Sequence, residues 1–348
     1  MWTLICHRHK EINSWCGEKI VNEITRLNKL TMLFKVQQYI RDFFTAEQFL
    51  DVLTPPMVEN PGMETHIHPF QVRSARDKSN LEMYLHTSPE FHMKELLAEG
   101  IEKFFTLSYC FRDEPKSTHH RSQFVMLEWY RANEFYTKIM NDVEELFSFC
   151  AKRFVEDGFQ IKESLKNFTP MRMTISEVFR EVLDIEILDF LDKDSLAQMI
   201  RANFKDVPLP PEREHHKLSW DDYYFLLFLN KVEPKLREYP FLLLYEFPHQ
   251  LSALSTIKEN DPRVCERFEV YCHGIELCNC FNELTDLKIQ RERFSEQAQL
   301  KSKLYSYELP EPNEFYQTME RGIPRASGIA LGVERLFMAL TGVEDPFY

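Results

Sequence analysis

Phe104-Phe-Thr-Leu-Ser-Tyr-Cys-Phe111 and Phe124-Val-Met-Leu-Glu-Trp-Tyr130 decide the fold. Each is a compact, strand-length run rich in aromatic and apolar residues. The polar stretch Asp113–Gln123 between them reads as a long hairpin loop. Arg267–Tyr271 and Ile275–Phe281 predict a second hairpin with Gly274 near its turn. Ile329-Ala-Leu-Gly-Val-Glu-Arg-Leu-Phe337 reads as a strand running into a helix that Gly342 closes. Leu33, Val36, Ile40, Phe43 and Phe44 repeat with helical spacing, as do Ile139, Val143, Leu146, Phe147, Cys150 and Phe154 up to Gly158. Antiparallel hairpins with helices grouped around them imply an α+β fold, an antiparallel sheet flanked by helices, rather than an alternating βαβ chain.

Working outward, Asp51-Val-Leu-Thr-Pro-Pro56 reads as a short strand halted by its prolines. His66–Val72 and Met83–His86 are expected strands. Ser88-Pro89-Glu90 predicts a helix start, with Ser88 as N-cap and Pro89 at the first position, and Gly100 as the stop. Residues 160–240 read as a mainly helical, insertion-like block interrupted by Val207-Pro-Leu-Pro-Pro211. A charged helix is expected over Asp286–Lys303, then a Pro-rich linker over Leu309–Pro312. The organisation expected is an N-terminal arm over residues 1–28 and one catalytic-sized unit over 29–348.

Composition bounds the function. The 348 residues suffice for a sizeable core, and no apolar stretch approaches the roughly 18 residues of a membrane span. With no basic start and apolar core at the N-terminus, the reading is a cytoplasmic protein without membrane association. The net charge of −13 argues against coating nucleic acid by bulk charge. Eight scattered cysteines without C-x-x-C predict reduced, mostly buried thiols rather than a zinc site. Glycine is scarce, nine in all, and four of them (Gly322, Gly328, Gly332, Gly342) fall in the last 27 residues.

There is no P-loop, G-x-G-x-x-G or G-x-S-x-G. Instead, polar residues lie in or beside predicted strands, where burial is costly unless they are satisfied or used. Arg112, Asp113 and Glu114 end the first strand, and an arginine there can fork onto a phosphate or carboxylate or simply close a loop ion pair. Alternation puts Glu128 and Tyr130 on one face, either as an ammonium site or as a structural hydrogen-bonded pair. Glu269, Glu276 and Glu283 recur every seven residues. Facing one cavity they would need Mg²⁺ or a cationic substrate between them; otherwise they form a solvated hairpin face. Simple alternation groups Asn279 with Phe281 and Glu283 and places Glu276 opposite, so a bulge near Cys278 is required to aim Glu276 at the same pocket. The glycines of Gly328-Ile-Ala-Leu-Gly332 allow either close backbone approach or a tight packing corner at a junction where Arg335 begins a helix.

In this order the segments resemble the catalytic domain of class II aminoacyl-tRNA synthetases of the lysyl type, from about Leu33 to the C-terminus. Phe49-Leu-Asp-Val-Leu-Thr-Pro55 is similar to motif 1. Phe111-Arg-Asp-Glu114 with His120 to Phe124 and Met126-Leu-Glu-Trp-Tyr-Arg131 is similar to motif 2, and Gly328–Arg335 to motif 3. The acidic hairpin resembles the family's in Arg267-Phe-Glu269, Gly274-Ile-Glu276 and Asn279-Cys-Phe-Asn-Glu283. Thr87-Ser-Pro-Glu-Phe-His-Met-Lys94 and Met126–Arg131 are most similar to the paralogue branch that modifies elongation factor P with β-lysine. Ala330 stands where lysyl-tRNA synthetases have glycine, as in that branch, and the short N-terminal stretch leaves no room for an anticodon-binding barrel.

The resemblance implies ATP and Mg²⁺ as cofactors, with Arg112 and Arg335 as catalytic arginines. Arg112 would clamp the α-phosphate and substrate carboxylate, and Arg335 the γ-phosphate. Glu114, His120, Arg121, Phe124, Glu276 and Gly332 would complete the ATP site, with Glu269 and Glu276 on Mg²⁺. Ser88, Glu90, Glu128, Tyr130, Asn279 and Glu283 would surround the amino groups of lysine or β-lysine. The implied reaction is adenylate formation with release of pyrophosphate, then transfer to a lysine ε-amine of elongation factor P by a homodimer without stable tRNA binding. Arg121 and Gln123 depart from the family's Asn and Glu in the motif 2 loop, and Cys280 and Asn282 from its Gly and His. A truncated lysyl-tRNA synthetase acting on tRNA and a catalytically silent synthetase-like binding module are the rival readings.

Overall fold

The computed structural model describes residues 25–115, 117, 120–210 and 218–347, so most of the expected N-terminal arm, with Cys6 and Cys16, lies outside the described residues. The chain begins with α1 (Arg26–Ala46), β1 (Leu50–Asp51), β2 (Met57–Val58), β3 (Phe70–Arg73), β4 (Asn80–Leu85) and α2 (Glu90–Ala98). The first long hairpin is β5 (Lys103–Phe111) and β6 (Gln123–Ala132), followed by α3 (Tyr136–Glu156). Next come β7 (Met171–Thr174), α4 (Ile175–Leu183), α5 (Lys193–Asn203) and α6 (Trp220–Leu227). The C-terminal half adds β8 (Leu242–Pro248), β9 (Val264–Cys272), β10 (Ile275–Asn282), α7 (Leu287–Tyr305), α8 (Asn313–Arg321), β11 (Ala326–Gly332) and α9 (Val333–Thr341).

Eight strands form one sheet in the order β1-β5-β6-β11-β10-β9-β8-β7, while β2, β4 and β3 form a small antiparallel sheet. The large sheet is antiparallel except at its edges, where β1 runs parallel to β5 and β7 to β8. The α+β expectation holds. Within residues 160–240, helices α4 to α6 cover β8 and β9 through a separate apolar cluster that includes Leu242 and Leu244, and the block also contributes edge strand β7.

Alternation along each strand divides the sheet into two faces. Val125, Leu127 and Trp129 of β6 join Ile329, Leu331, Phe268 and Val270 beneath α1, α3 and α9. Phe44 of α1 stacks on Phe105 with ring centroids 4.7 Å apart and lies 5.2 Å from Trp129. Full burial of each such side chain contributes about 1.5–3 kcal/mol. On the opposite face, Phe104 and Tyr130 pack with Met93, Leu97, Phe294 and Phe315 from α2, α7 and α8. These helices cover only part of that face, and the remainder is open as a cavity.

Three local readings shift. The strand expected over His66–Val72 is confined to Phe70–Arg73, because the His66 and His68 rings are drawn to the hydroxyls of Tyr305 and Tyr307, each 2.7 Å away. Pro89 rather than Ser88 occupies the N-cap of α2, and the Ser88 hydroxyl accepts the Glu90 N–H at 3.1 Å. Helix α8 follows the Pro-rich linker directly, where no helix was expected.

Candidate active site

Strand register lays out the floor of the cavity. Arg267, Phe281, Gly328, Tyr130 and Phe104 stand in one row across β9, β10, β11, β6 and β5. The adjacent row holds Glu269, Asn279, Ala330, Glu128 and Thr106. A cavity of about 300 Å³ lies over these rows. Gly328 is required there: a Cβ would stand 2.2 Å from the Tyr130 ring and 2.6 Å from Glu283 Oε1. At Gly332 a Cβ would make only ordinary contacts, at 3.6 Å, with the Arg335 side chain. The irregularity required near Cys278 is present. The β9–β10 register shifts between Glu276 and Cys278, and Glu276, Asn279 and Glu283 all line the cavity.

Ser88, Glu90, Glu128, Tyr130, Asn279 and Glu283 gather at one end. They enclose an ammonium group of the protein itself. Lys94 Nζ lies 2.6 Å from Glu90 Oε1 and 2.7 Å from Glu283 Oε2, and the lysine side chain is 1% exposed. The paired carboxylates hold Lys94 firmly in its charged form against the opposing effect of burial. Burial and the neighbouring Glu90 charge push Glu283 upward, while Lys94 pulls it back. Glu128 accepts the Ser88 hydroxyl on Oε1, and its buried Oε2 has no partner. Burial, then the charges of Glu90 and Glu283, push Glu128 up to about 8, so near neutral pH it is mostly protonated. Arg267 donates to Asn279 Oδ1 at 3.2 Å and fixes the amide facing the cavity.

Arg112, Glu114, His120, Arg121, Phe124, Glu276, Gly332 and Arg335 line the rest of the cavity. The Arg112 guanidinium lies 5.3 Å from the Phe124 ring, and its Nε donates to the Thr87 carbonyl at 3.3 Å. Arg335 donates to the Glu276 carbonyl at 3.0 Å and to His120 Nε2 at 2.9 Å. His120 therefore accepts on Nε2 and donates from Nδ1 to Ser117 Oγ at 2.9 Å. Burial and the Arg335 charge lower His120 to about 4, which keeps the ring neutral. Arg121 is held by its own loop and by the C-terminal segment: it donates to the His120 carbonyl at 3.0 Å and to Asp345 at 3.3 Å, with its guanidinium 4.5 Å from the Phe347 ring.

Glu269 alone among the residues assigned by resemblance does not line the cavity. Its carboxylate is engaged by Arg267 and by the Tyr271 hydroxyl at 2.7 Å. Glu276, in contrast, is 42% exposed and makes only a 3.4 Å contact with Arg335. Burial, then the charges of Glu276 and Glu269, raise nearby Glu233 to about 7. Partly exposed and only weakly partnered, the Glu276 carboxylate offers the hard oxygen donor that a divalent cation needs, whereas Glu269 is already neutralised by Arg267 and would need that ion pair to open before joining it. No group of three metal-ligating side chains occurs among the described residues.

Sequence reading assigned no site role to Lys94, Glu64, Arg267 or Phe347, which line or close the site, although Lys94 and Arg267 stand within the segments that carry the resemblance. Lys94 carried a further signal: Glu90 and Lys94 are four residues apart on one helix face. It also missed Glu334, whose carboxylate accepts the Val125 N–H at 2.9 Å and ties α9 to β6. The described cysteines are buried and unpaired, as expected. Cys280 packs in the helix-covered core and does not line the cavity.

An antiparallel sheet bearing arginines at one end of a cavity and buried carboxylates at the other defines a catalytic core of the class II synthetase type. The chain belongs to this family: the family model for class II tRNA synthetases (D, K and N) matches residues 21–345. It is similar to the elongation factor P–(R)-β-lysine ligase of Proteus mirabilis, 35% identical over 312 residues covering 89% of this chain and 90% of that protein. The proteins of the same name from Klebsiella pneumoniae and Salmonella arizonae are 35% and 34% identical, over 312 and 307 residues, covering 89% and 88% of this chain and 90% and 88% of their own.

Proposed function

We propose that the chain is an ATP-dependent ligase that activates (R)-β-lysine, or lysine, as an adenylate and transfers it to a lysine ε-amine of elongation factor P. The observation that carries this reading is the division of one cavity into a cationic end, with Arg112 and Arg335, and a buried acidic end built around Lys94. A dication needs acids and a triphosphate needs arginines. The relatives' shared name supports the choice of amino acid and acceptor.

In the first step the substrate carboxylate oxygen attacks the α-phosphorus in line, the α–β P–O bond breaks, and pyrophosphate leaves. Arg112 would stabilise charge on the α-phosphate, and Arg335 would hold the γ-phosphate. Mg²⁺, held by Glu276 with Glu269, would supply charge neutralisation between phosphates. In the second step the unprotonated acceptor amine attacks the acyl carbonyl, an amide forms, and AMP leaves. Ser88, Glu128, Tyr130 and Asn279, with Glu90 and Glu283 acting together with Lys94, would orient the amino acid throughout, and Glu114, His120, Arg121, Phe124 and Gly332 would border the nucleotide.

We further propose a homodimer formed through the motif 1 edge, where Leu53 is 87% exposed beside the exposed Leu50 and Met57. No described helix is long and apolar enough to cross a membrane, which is compatible with the proposed cytoplasmic location. The deciding experiment is mass spectrometry of elongation factor P and of tRNA after both are incubated with the enzyme, ATP and each lysine isomer. Acceptor carrying one added lysyl unit, favoured by β-lysine, is expected. Unmodified acceptor together with charged tRNA would move the assignment to a lysyl-tRNA synthetase.

A further inference from the structure

Glu64 lines the cavity, yet it lies in the loop between β2 and β3, outside every motif described above. That loop is shaped around its carboxylate. Gly62 adopts φ +124°, and its missing Cβ leaves the space that Glu64 Oε2 occupies, 2.6 Å from where a Cβ would stand. Thr87 Oγ1 borders the same space at 3.3 Å. Thr87 is also the residue whose carbonyl receives Arg112 Nε at 3.3 Å. Glu64 is thus held on the side of the cavity where Arg112 would grip the substrate carboxylate. The charges of Glu90 and Arg112 both reach it. No hydrogen bond or ion pair joins its carboxylate to another side chain among the described residues. Lys301, whose charge also reaches Glu64, is committed to the Ile67 carbonyl at 2.6 Å and to the Tyr307 hydroxyl at 3.2 Å.

A diamino acid brings two ammonium groups into this cavity. The deep one would meet Glu128, whose buried and unpartnered Oε2 lies beside the Lys94 pair and which would ionise as the cation arrives. The ammonium nearer the reacting carboxylate needs a separate counter-charge, because an unpaired cation inside protein is costly. We propose that Glu64 is that counter-charge: it binds the amino group adjacent to the activated carboxyl and distinguishes a diamino acid from a monoamino acid of the same length. The inference rests on the proposed amino-acid activation and extends it to the placement of the second amine. Burial and the Glu90 charge push the Glu64 carboxyl upward, so an incoming ammonium would replace unfavourable surroundings with a direct partner.

The test uses 6-aminohexanoate, which keeps the terminal amine and the carboxylate of both lysine isomers and lacks the second amine. Binding of β-lysine, lysine and 6-aminohexanoate is measured by calorimetry on full-length wild-type, Glu64→Gln and Glu64→Asp proteins in the presence of a non-hydrolysable ATP analogue. Glu64→Gln is expected to weaken the preferred diamino acid on the order of tenfold or more. Its affinity for 6-aminohexanoate and for the ATP analogue should stay within about twofold, which also shows that the variant is folded. Glu64→Asp should recover part of the loss. Equal weakening of 6-aminohexanoate and diamino acid, or undiminished diamino-acid binding, overturns the assignment. Wild-type protein that binds neither lysine isomer instead overturns the proposed function, and this inference with it.

Discussion

The two ends of the cavity carry opposite charge and manage it differently. At the acidic end, Lys94 and Glu128 are each 1% exposed, and Lys94 is already paired with two acids. At the arginine end, Arg335 is 26% exposed and rests on a backbone carbonyl and a neutral histidine. Water explains the contrast. A charge in a dry site must be paired or neutralised as the chain folds, since removing it from solvent costs several kcal/mol. A partly wet charge is screened and can stand ready with weak contacts. Charge at the acidic end therefore belongs to folding as much as to binding, while charge at the arginine end is free to serve binding alone.

Lys94→Met should break this comparison most strongly. It leaves Glu90 and Glu283 without their shared cation and is expected to destabilise the protein by about 3–5 kcal/mol, read by chemical denaturation. A loss below about 1 kcal/mol would show that the acidic end is wetter than its burial implies.

Glu128 gives a smaller, pH-dependent effect. Its folded value of about 8 lies above the roughly 4.3 of an unfolded glutamate. Between these values the folded state holds a proton that the unfolded state has released, so this group lowers stability as pH rises through the window, and its effect levels off above pH 8. Glu233 and Glu334, each raised to about 7 mainly by burial, act with the same sign. Glu128→Gln should therefore gain stability relative to wild type as pH goes from 5 to 9, by about 1–3 kcal/mol. A wild-type-to-variant difference that stays constant across that range would mean that Glu128 is ionised in both states.

The same contrast governs how much was legible in the sequence. Strands β5 and β6 were readable because strands covered on both faces become compact apolar and aromatic runs, β9 and β10 because Gly274 marks the turn between them, and the glycine-poor composition made Gly328 conspicuous. The site residues were readable mainly through the order of their motifs, since polar groups embedded in strands signal use without saying for what. Lys94 escaped because a lysine inside a helix reads as a solvated charge, and burial is a tertiary property. Glu64 escaped because its place depends on a loop that no periodicity describes. The bulge at Glu276 was deducible as a requirement but not as a fact, because a single extra residue leaves no mark on composition.

The sharpest form of the comparison is an effect on stability that should be nearly absent. Arg335→Ala removes hydrogen bonds to the Glu276 carbonyl and His120 from a partly wet site. Its denaturation midpoint should correspond to a change within about 0.5 kcal/mol. The proposed ATP–pyrophosphate exchange should nonetheless fall on the order of a hundredfold, because developing charge on the triphosphate loses a preorganised partner. His120 supplies an independent readout. Burial and the Arg335 charge together hold it at about 4, so removing that charge should let the ring titrate closer to neutrality in an NMR pH series. Near-normal exchange with a displaced His120 titration would leave Arg335 as a local structural cation. A large stability loss would instead show that both ends of the cavity hold their charges in the same way.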